Sequence, residues 1–153
     1  MKQLTYVFFA LALIVAGFTF SALNAHAQTG KQKPGVIYDA NITRVIDGDT
    51  VAVEAPWLPD PLKKELSIRV FGVDTPEKGH RAQCPKEDVM GQKATEFTKK
   101  AVVSAKKRQV ILMDWDKYGG RVLGDVILDG KSLRQGLIAN GLAREYYGEA
   151  KTS

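Results

Sequence analysis

Leu66-Ser67-Ile68-Arg69-Val70-Phe71-Gly72-Val73-Asp74-Thr75-Pro76-Glu77 is the stretch on which the fold turns. Leu66–Val73 is apolar except for Ser67 and Arg69 and reads as a strand; Asp74–Pro85, rich in charge, Gly and Pro, reads as a loop. A helical pattern follows over Lys86–Lys107, with Met90, Ala94, Phe97, Ala101 and Ala105 on one face and lysines on the other. Pro85 suits the first turn of that helix.

Upstream, Val36, Tyr38, Ala40 and Ile42 alternate as one face of a strand. Val45-Ile46 runs into Asp47-Gly48, a tight-turn pair, and Thr50–Glu54 continues as a second strand. Pro56, Pro59 and Pro61 stiffen the next connection. Downstream, Val110–Met113 and Val122–Leu128 read as two more strands. Asp129-Gly130 is a turn, and Ser132 with Gln135 caps a short helix that Gly141 ends.

The order is thus three strands, a helix, two strands and a helix. No βαβ alternation occurs, so a doubly wound sheet is not expected. The expected fold is mainly β with helices (α+β), a five-stranded OB-fold barrel with a helix after strand 3 and a short helix after strand 5.

The 153 residues suit one domain. Lys2 precedes an apolar run from Leu4 to Leu23, and Ala25-His26-Ala27 is an A-x-A cleavage signal. Residues 1–27 are therefore expected to be a signal peptide, the competing reading being an uncleaved membrane anchor. Residues 28–35 read as a flexible leader, 36–148 as the folded domain and 149–153 as a tail. Export, secreted or periplasmic, is expected. With Lys2 removed, 21 basic residues face 17 acidic ones, a net charge of +4 that suits a polyanionic substrate.

After processing only His80 remains among the histidines, which argues against His-rich zinc sites, paired-histidine phosphodiesterases and Ser-His-Asp chemistry. Cys84 is the single cysteine, so no internal disulfide forms. Chemistry here should rest on carboxylates, arginines and a metal.

Four clusters carry it. Asp47-Gly48-Asp49-Thr50 alone is most simply a solvated hairpin. Asp74-Thr75-Pro76-Glu77 places two carboxylates at the end of an apolar strand, where hard cations find oxygen ligands and a second carboxylate activates water. Arg69 inside an apolar strand requires either an ion pair or an anionic substrate. Asp116-Lys117-Tyr118-Gly119-Gly120-Arg121 is a glycine turn that opens a strand with an arginine. Together they neutralise a phosphodiester, stabilise its five-coordinate transition state and deprotonate water.

Val45-Ile46-Asp47-Gly48-Asp49-Thr50, Arg69, Val73-Asp74-Thr75-Pro76-Glu77 and Asp116-Lys117-Tyr118-Gly119 with Arg121 resemble the signature blocks of the staphylococcal (micrococcal) nuclease-like family, the thermonuclease or TNase-like domain. The likeness runs from about Asp39 to Tyr147 and includes Asp129-Gly130-Lys131 and Gly141-Leu142-Ala143. It implies an OB-fold, Ca²⁺-dependent endonuclease that acts on DNA and RNA and leaves 3′-phosphorylated products. Asp49 and Asp74, with the Thr75 carbonyl, would ligate Ca²⁺; Arg69, Glu77 and Arg121 would be catalytic, Glu77 as general base. Tyr118 and Tyr147 would contact substrate, Tyr146 competing for the second place. Gly120 is one residue more than the family's turn carries. A monomer is expected, with a membrane partner only if the leader stays uncleaved. The competing reading is an inactive OB module that binds single-stranded nucleic acid.

Overall fold

The computed structural model describes residues 35–117 and 119–148. The expected signal segment, most of the expected leader, Tyr118 and the expected tail therefore lie outside the described residues.

The described residues form nine strands and two α-helices, with a 3₁₀ turn at Gly79–Arg81: β1 (Val36–Asp39), β2 (Ile42–Asp47), β3 (Thr50–Glu54), β4 (Glu65–Val70), β5 (Val73–Asp74), α1 (Pro85–Ser104), β6 (Arg108–Trp115), β7 (Arg121–Leu128), β8 (Lys131–Ser132), α2 (Leu133–Ala139) and β9 (Arg144–Glu145). The main sheet runs β1-β6-β7-β4-β3-β2, with β8 beside β7; β5 and β9 form a separate pair. Among the described strands, β4 and β7 are the one parallel pair. The chain is thus mainly β with a helix on each side of the β6–β7 hairpin in sequence.

The sheet differs from a closed barrel of five strands. Its path is open, with β1 and β2 at the two ends. The expected single strand from Val36 to Ile42 breaks at Ala40-Asn41, because these residues serve different neighbours. Ala40 N donates to Arg108 O at 3.0 Å, while Asn41 O accepts from Glu54 N at 2.8 Å. β1 therefore joins β6, and β2 joins β3.

The strand expected over Leu66–Val73 also divides. Gly72 takes φ +79°, a conformation that a side chain disfavours, and the chain turns there so that Val73-Asp74 leaves the main sheet to pair with β9. The helix expected to reach Lys107 stops at Ser104. Beyond it, the Asp129 carboxylate accepts from Lys106 N at 3.1 Å and Lys107 N at 2.8 Å, which offers those amides a partner outside the helix. Asp129 itself takes φ +49° in the β7–β8 turn.

α1 begins as its sequence requires. Pro85 occupies the first turn, and Glu87 and Asp88 sit where the helix dipole favours negative charge. Those carboxylates also tie down the loop ahead, accepting from Gln83 N and Gly79 N at 2.6 Å each. At α2, Ser132 Oγ accepts from Gln135 N at 3.2 Å, the expected cap.

The core lies between sheet and helices. Val51, Ile68, Val70, Val73 and Val126 meet Ala94 and Val102 of α1 and Leu133 and Leu137 of α2. Ile68 and Leu137 are fully buried, each contributing about 1.5–3 kcal/mol by removal from water. This packing fixes the C-terminal end of β4, from which the site is built.

Candidate active site

Arg69 stands opposite Thr50 in the β3–β4 register, next to Asp49. Asp49 is almost wholly buried, at 3 % exposure, so its carboxylate must find partners inside the protein. It has four. Oδ1 accepts from Arg69 Nη1 at 2.8 Å and Thr50 Oγ1 at 2.9 Å; Oδ2 accepts from Thr75 N at 3.1 Å and Thr75 Oγ1 at 3.0 Å. The same guanidinium reaches Asp74 Oδ1 at 3.3 Å through Nη2. The two loops that carry Asp49 and Asp74 are thereby joined through one arginine.

Their backbones are fixed from behind by α1. Thr98 Oγ1 donates to Gly48 O at 2.6 Å, and a Cβ on Gly48 would lie 2.7 Å from that of Ala94. A Cβ on Gly91 would meet Glu77 O at 2.4 Å and Pro76 O at 2.6 Å. Glycine at both places lets the helix touch the loop backbones directly.

Glu77 is partly exposed, and its Oε2 lies 3.2 Å from Arg81 Nε. Arg81 also donates to Asp47 Oδ2 at 2.8 Å, and Lys78 Nζ lies 3.2 Å from Asp47 Oδ1. Burial opposes ionisation of Asp47, but hydrogen bonds from Arg81 and Lys78 outweigh it and hold the carboxyl below its ordinary range. Arg121 comes from the start of β7. Its Nη2 lies 2.5 Å from Oδ2 of buried Asp116, and Asp116 N donates to Arg121 O at 2.9 Å.

Arg69, Glu77 and Arg121 line one cavity of about 650 Å³, together with Arg81, Trp115 and Tyr147. Its lining includes three arginines and two acids, Glu77 and Asp116. Such a cavity can hold a phosphodiester by charge-assisted hydrogen bonds and present a base to a water beside it. Asp74 and Thr75 line the adjoining cavity instead. No group of three or more His, Cys, Asp or Glu suited to a metal occurs among the described residues. The oxygen atoms that accept from Arg69 are those of the Asp49 and Asp74 carboxylates and the Val73 carbonyl. Carboxylate and carbonyl oxygens are hard donors of the kind that would suit a divalent cation.

The chain matches the family described as staphylococcal nuclease homologue over residues 67–153. It is 31% identical over 150 residues to the thermonuclease of Staphylococcus hyicus, covering 94% of this chain and 82% of that protein. This chain belongs to the staphylococcal nuclease family. That membership places it among nucleases, hydrolases of phosphodiester bonds.

Other relatives are larger. Endonuclease YncB of Bacillus subtilis (strain 168) is 32% identical over 137 residues, 81% of this chain and 59% of that protein. For endonuclease YhcR of the same organism the figures are 33% over 119 residues, 72% of this chain and 9% of that protein. This nuclease-family chain therefore corresponds to one part of each of these two proteins.

Several residues at the site escaped the sequence reading. Arg81 stands four residues after Glu77, a spacing visible in the sequence but unremarkable in a charged loop. Arg144 gives no local signal at all. It reaches Asp74 Oδ2 at 3.1 Å only because β9 pairs with β5, placing Asp74 and Arg144 opposite each other. Tyr147 lines the cavity, but its hydroxyl is engaged by Arg134 Nη2 at 2.6 Å, and its ring meets Phe71 edge-on at 5.7 Å. Tyr146 lines the same cavity. Tyr118 lies outside the described residues.

Proposed function

We propose that the chain is an exported Ca²⁺-dependent endonuclease that hydrolyses DNA and RNA to 3′-phosphorylated products. The observation that carries this reading is the single cavity lined by Arg69, Glu77 and Arg121, with Asp49 and Asp74 gathered on the Arg69 guanidinium. Arg69 and Arg121 bind the non-bridging oxygens of the scissile phosphate and stabilise the added charge of the five-coordinate transition state. Glu77 takes a proton from the attacking water. The bond from phosphorus to the 5′ oxygen breaks, that oxygen takes a proton from solvent, and phosphate stays on the 3′ side. Asp49, Asp74 and the Thr75 carbonyl would hold Ca²⁺, which supplies Lewis-acid polarisation of a phosphoryl oxygen.

Arg81 Nε, 3.2 Å from Glu77 Oε2, positions that side chain. Asp116 holds Arg121 from below the turn, so the additional Gly120 need not displace the arginine. Tyr118 and Tyr147 contact the substrate, Tyr146 competing for the second place. β1 and β2, consecutive at the two ends of the sheet path, act as one bent strand; read so, the sheet is the OB frame. Residues 1–27 serve as the signal peptide, 28–35 as leader, 36–148 as the nuclease domain and 149–153 as tail. No described helix is long and apolar enough to cross a membrane.

The test is digestion of single-stranded DNA and of RNA by the purified protein, with Ca²⁺ and with excess chelator, followed by identification of the new termini. Cleavage that stops in chelator and yields 3′-phosphates is expected. Undiminished cleavage in chelator would remove the metal, and tight binding without any cleavage would favour the inactive single-strand-binding module.

A further inference from the structure

Arg134 stands in the first turn of α2 with its side chain only 5% exposed. Local sequence gives no reason for it. A buried guanidinium is costly, and the start of a helix is the end at which a cation is disfavoured. The contacts it makes must therefore justify the position. Its backbone N–H reaches the buried Asp125 carboxylate at 3.4 Å, and Val126 N and Ser132 Oγ donate to the same carboxylate at 2.8 and 2.5 Å. Its Nη2 donates to the Tyr147 hydroxyl at 2.6 Å, with Glu145 Oε1 farther off at 3.9 Å. Tyr147 lines the Arg69 cavity, whereas Arg134 is not part of that lining.

The arginine and the tyrosine share a seat on Gly72. A Cβ there would lie 2.9 Å from Tyr147 Cε1 and 3.1 Å from Arg134 Nε, and Gly72 O accepts from Tyr146 N at 3.1 Å. Phe71 meets the Tyr147 ring edge-on, and the guanidinium carbon lies 5.7 Å from the ring centre. A phenol oxygen both accepts and donates. With a cationic N–H on the accepting side, its own proton is left to be donated, and the polarised hydroxyl bonds an anion more strongly. We infer that Arg134 is a positioning residue of the substrate cavity: it fixes Tyr147 against Gly72 and strengthens the hydroxyl as a donor to a phosphate oxygen. Unlike Arg69 and Arg121, it acts through another side chain. The inference rests on the reading of Tyr147 as a substrate contact.

The experiment is a double-mutant cycle on binding of a fluorescently labelled phosphorothioate hexathymidylate, read by anisotropy in Ca²⁺ buffer. Wild type, Tyr147→Phe, Arg134→Lys and the combination are compared after circular dichroism and thermal melting. Should Arg134→Lys not fold, Asp125→Asn with Arg134→Gln takes its place, removing the buried acid and base together. Tyr147→Phe should weaken binding roughly tenfold, the worth of one hydrogen bond to a charged group. The Arg134 variant should weaken binding by part of that factor in the wild-type background and hardly at all beside Tyr147→Phe. A merely structural arginine would weaken both backgrounds by the same factor, and that result, or a Tyr147→Phe that binds as wild type does, overturns the inference. Cleavage of unmodified DNA is followed in parallel. Cleavage without coupling keeps the nuclease reading and removes Arg134; coupling without cleavage keeps Arg134 and removes the nuclease reading.

Discussion

Arg69 Nη1 donates to Asp49 Oδ1 at 2.8 Å across the β3–β4 pair, and this contact joins the framework to the chemistry. With Asp49 buried and Arg69 only 20% exposed, the pair is largely shielded from water. Removing one member leaves the other charge without its partner. Arg69→Ala should therefore cost about 3 kcal/mol in stability, read from urea unfolding, in addition to abolishing cleavage. Arg69→Lys should recover part of the stability but not the two-carboxylate geometry, since a single ammonium cannot reproduce the planar fork. Equal stability of wild type and Arg69→Ala would show that the pair is dispensable to the fold.

Glu77→Gln tests the base. Turnover should fall by about 10²–10⁴, the range for loss of a general base, while KM changes little. Steady-state kinetics on a defined oligonucleotide separates the two terms; unchanged kcat would remove Glu77 from the mechanism.

Arg81 acts through Glu77, so its effect should appear in kcat rather than in KM. With Nε 3.2 Å from Oε2, the guanidinium positions the Glu77 carboxylate. Arg81→Ala should lower kcat by about 10–100-fold through misplacement of that carboxylate, and Arg81→Lys should recover part of the loss. Equal kcat in wild type and Arg81→Ala would mean that Arg81 does not position Glu77.

Asp47 predicts an acid sensitivity of the fold. Burial pushes its carboxyl up, but Arg81 and Lys78 together hold it below the ordinary value of 3.8 in the folded protein. The stabilisation is therefore fully present above the unfolded value and is lost as pH falls below 3.8 through the folded value. Melting temperatures of wild type and Asp47→Asn should differ at pH 6 and converge as the pH approaches 2. A constant gap would assign the stabilisation to packing rather than charge.

Gly91 supplies a purely steric test. Its added methyl would enter the backbone oxygens of Pro76 and Glu77 at 2.4–2.6 Å, which neither rigid partner can accommodate. Gly91→Ala should destabilise by about 1–3 kcal/mol and lower turnover by displacing Glu77. Thermal unfolding and the rate on a single substrate check both parts; a variant of native stability and native rate would show that the loop backbone yields freely.

The order of strands and helices, the Ser132 cap and the chemical character of the site follow from local pattern, because periodicity, capping and motif spacing act over a few residues. Arg69 is legible for the same reason: a guanidinium in an apolar strand requires a partner, whatever that partner is. The tertiary structure decided what depends on distant chain. It broke the first strand at Ala40-Asn41, because the two residues bond to separate neighbours, and it made Gly48, in the β2–β3 hairpin, also a seat for Ala94 and Thr98. It also set Arg144, 70 residues away, on Asp74. That pairing is fixed by β5–β9 register, which arises only once the core has closed.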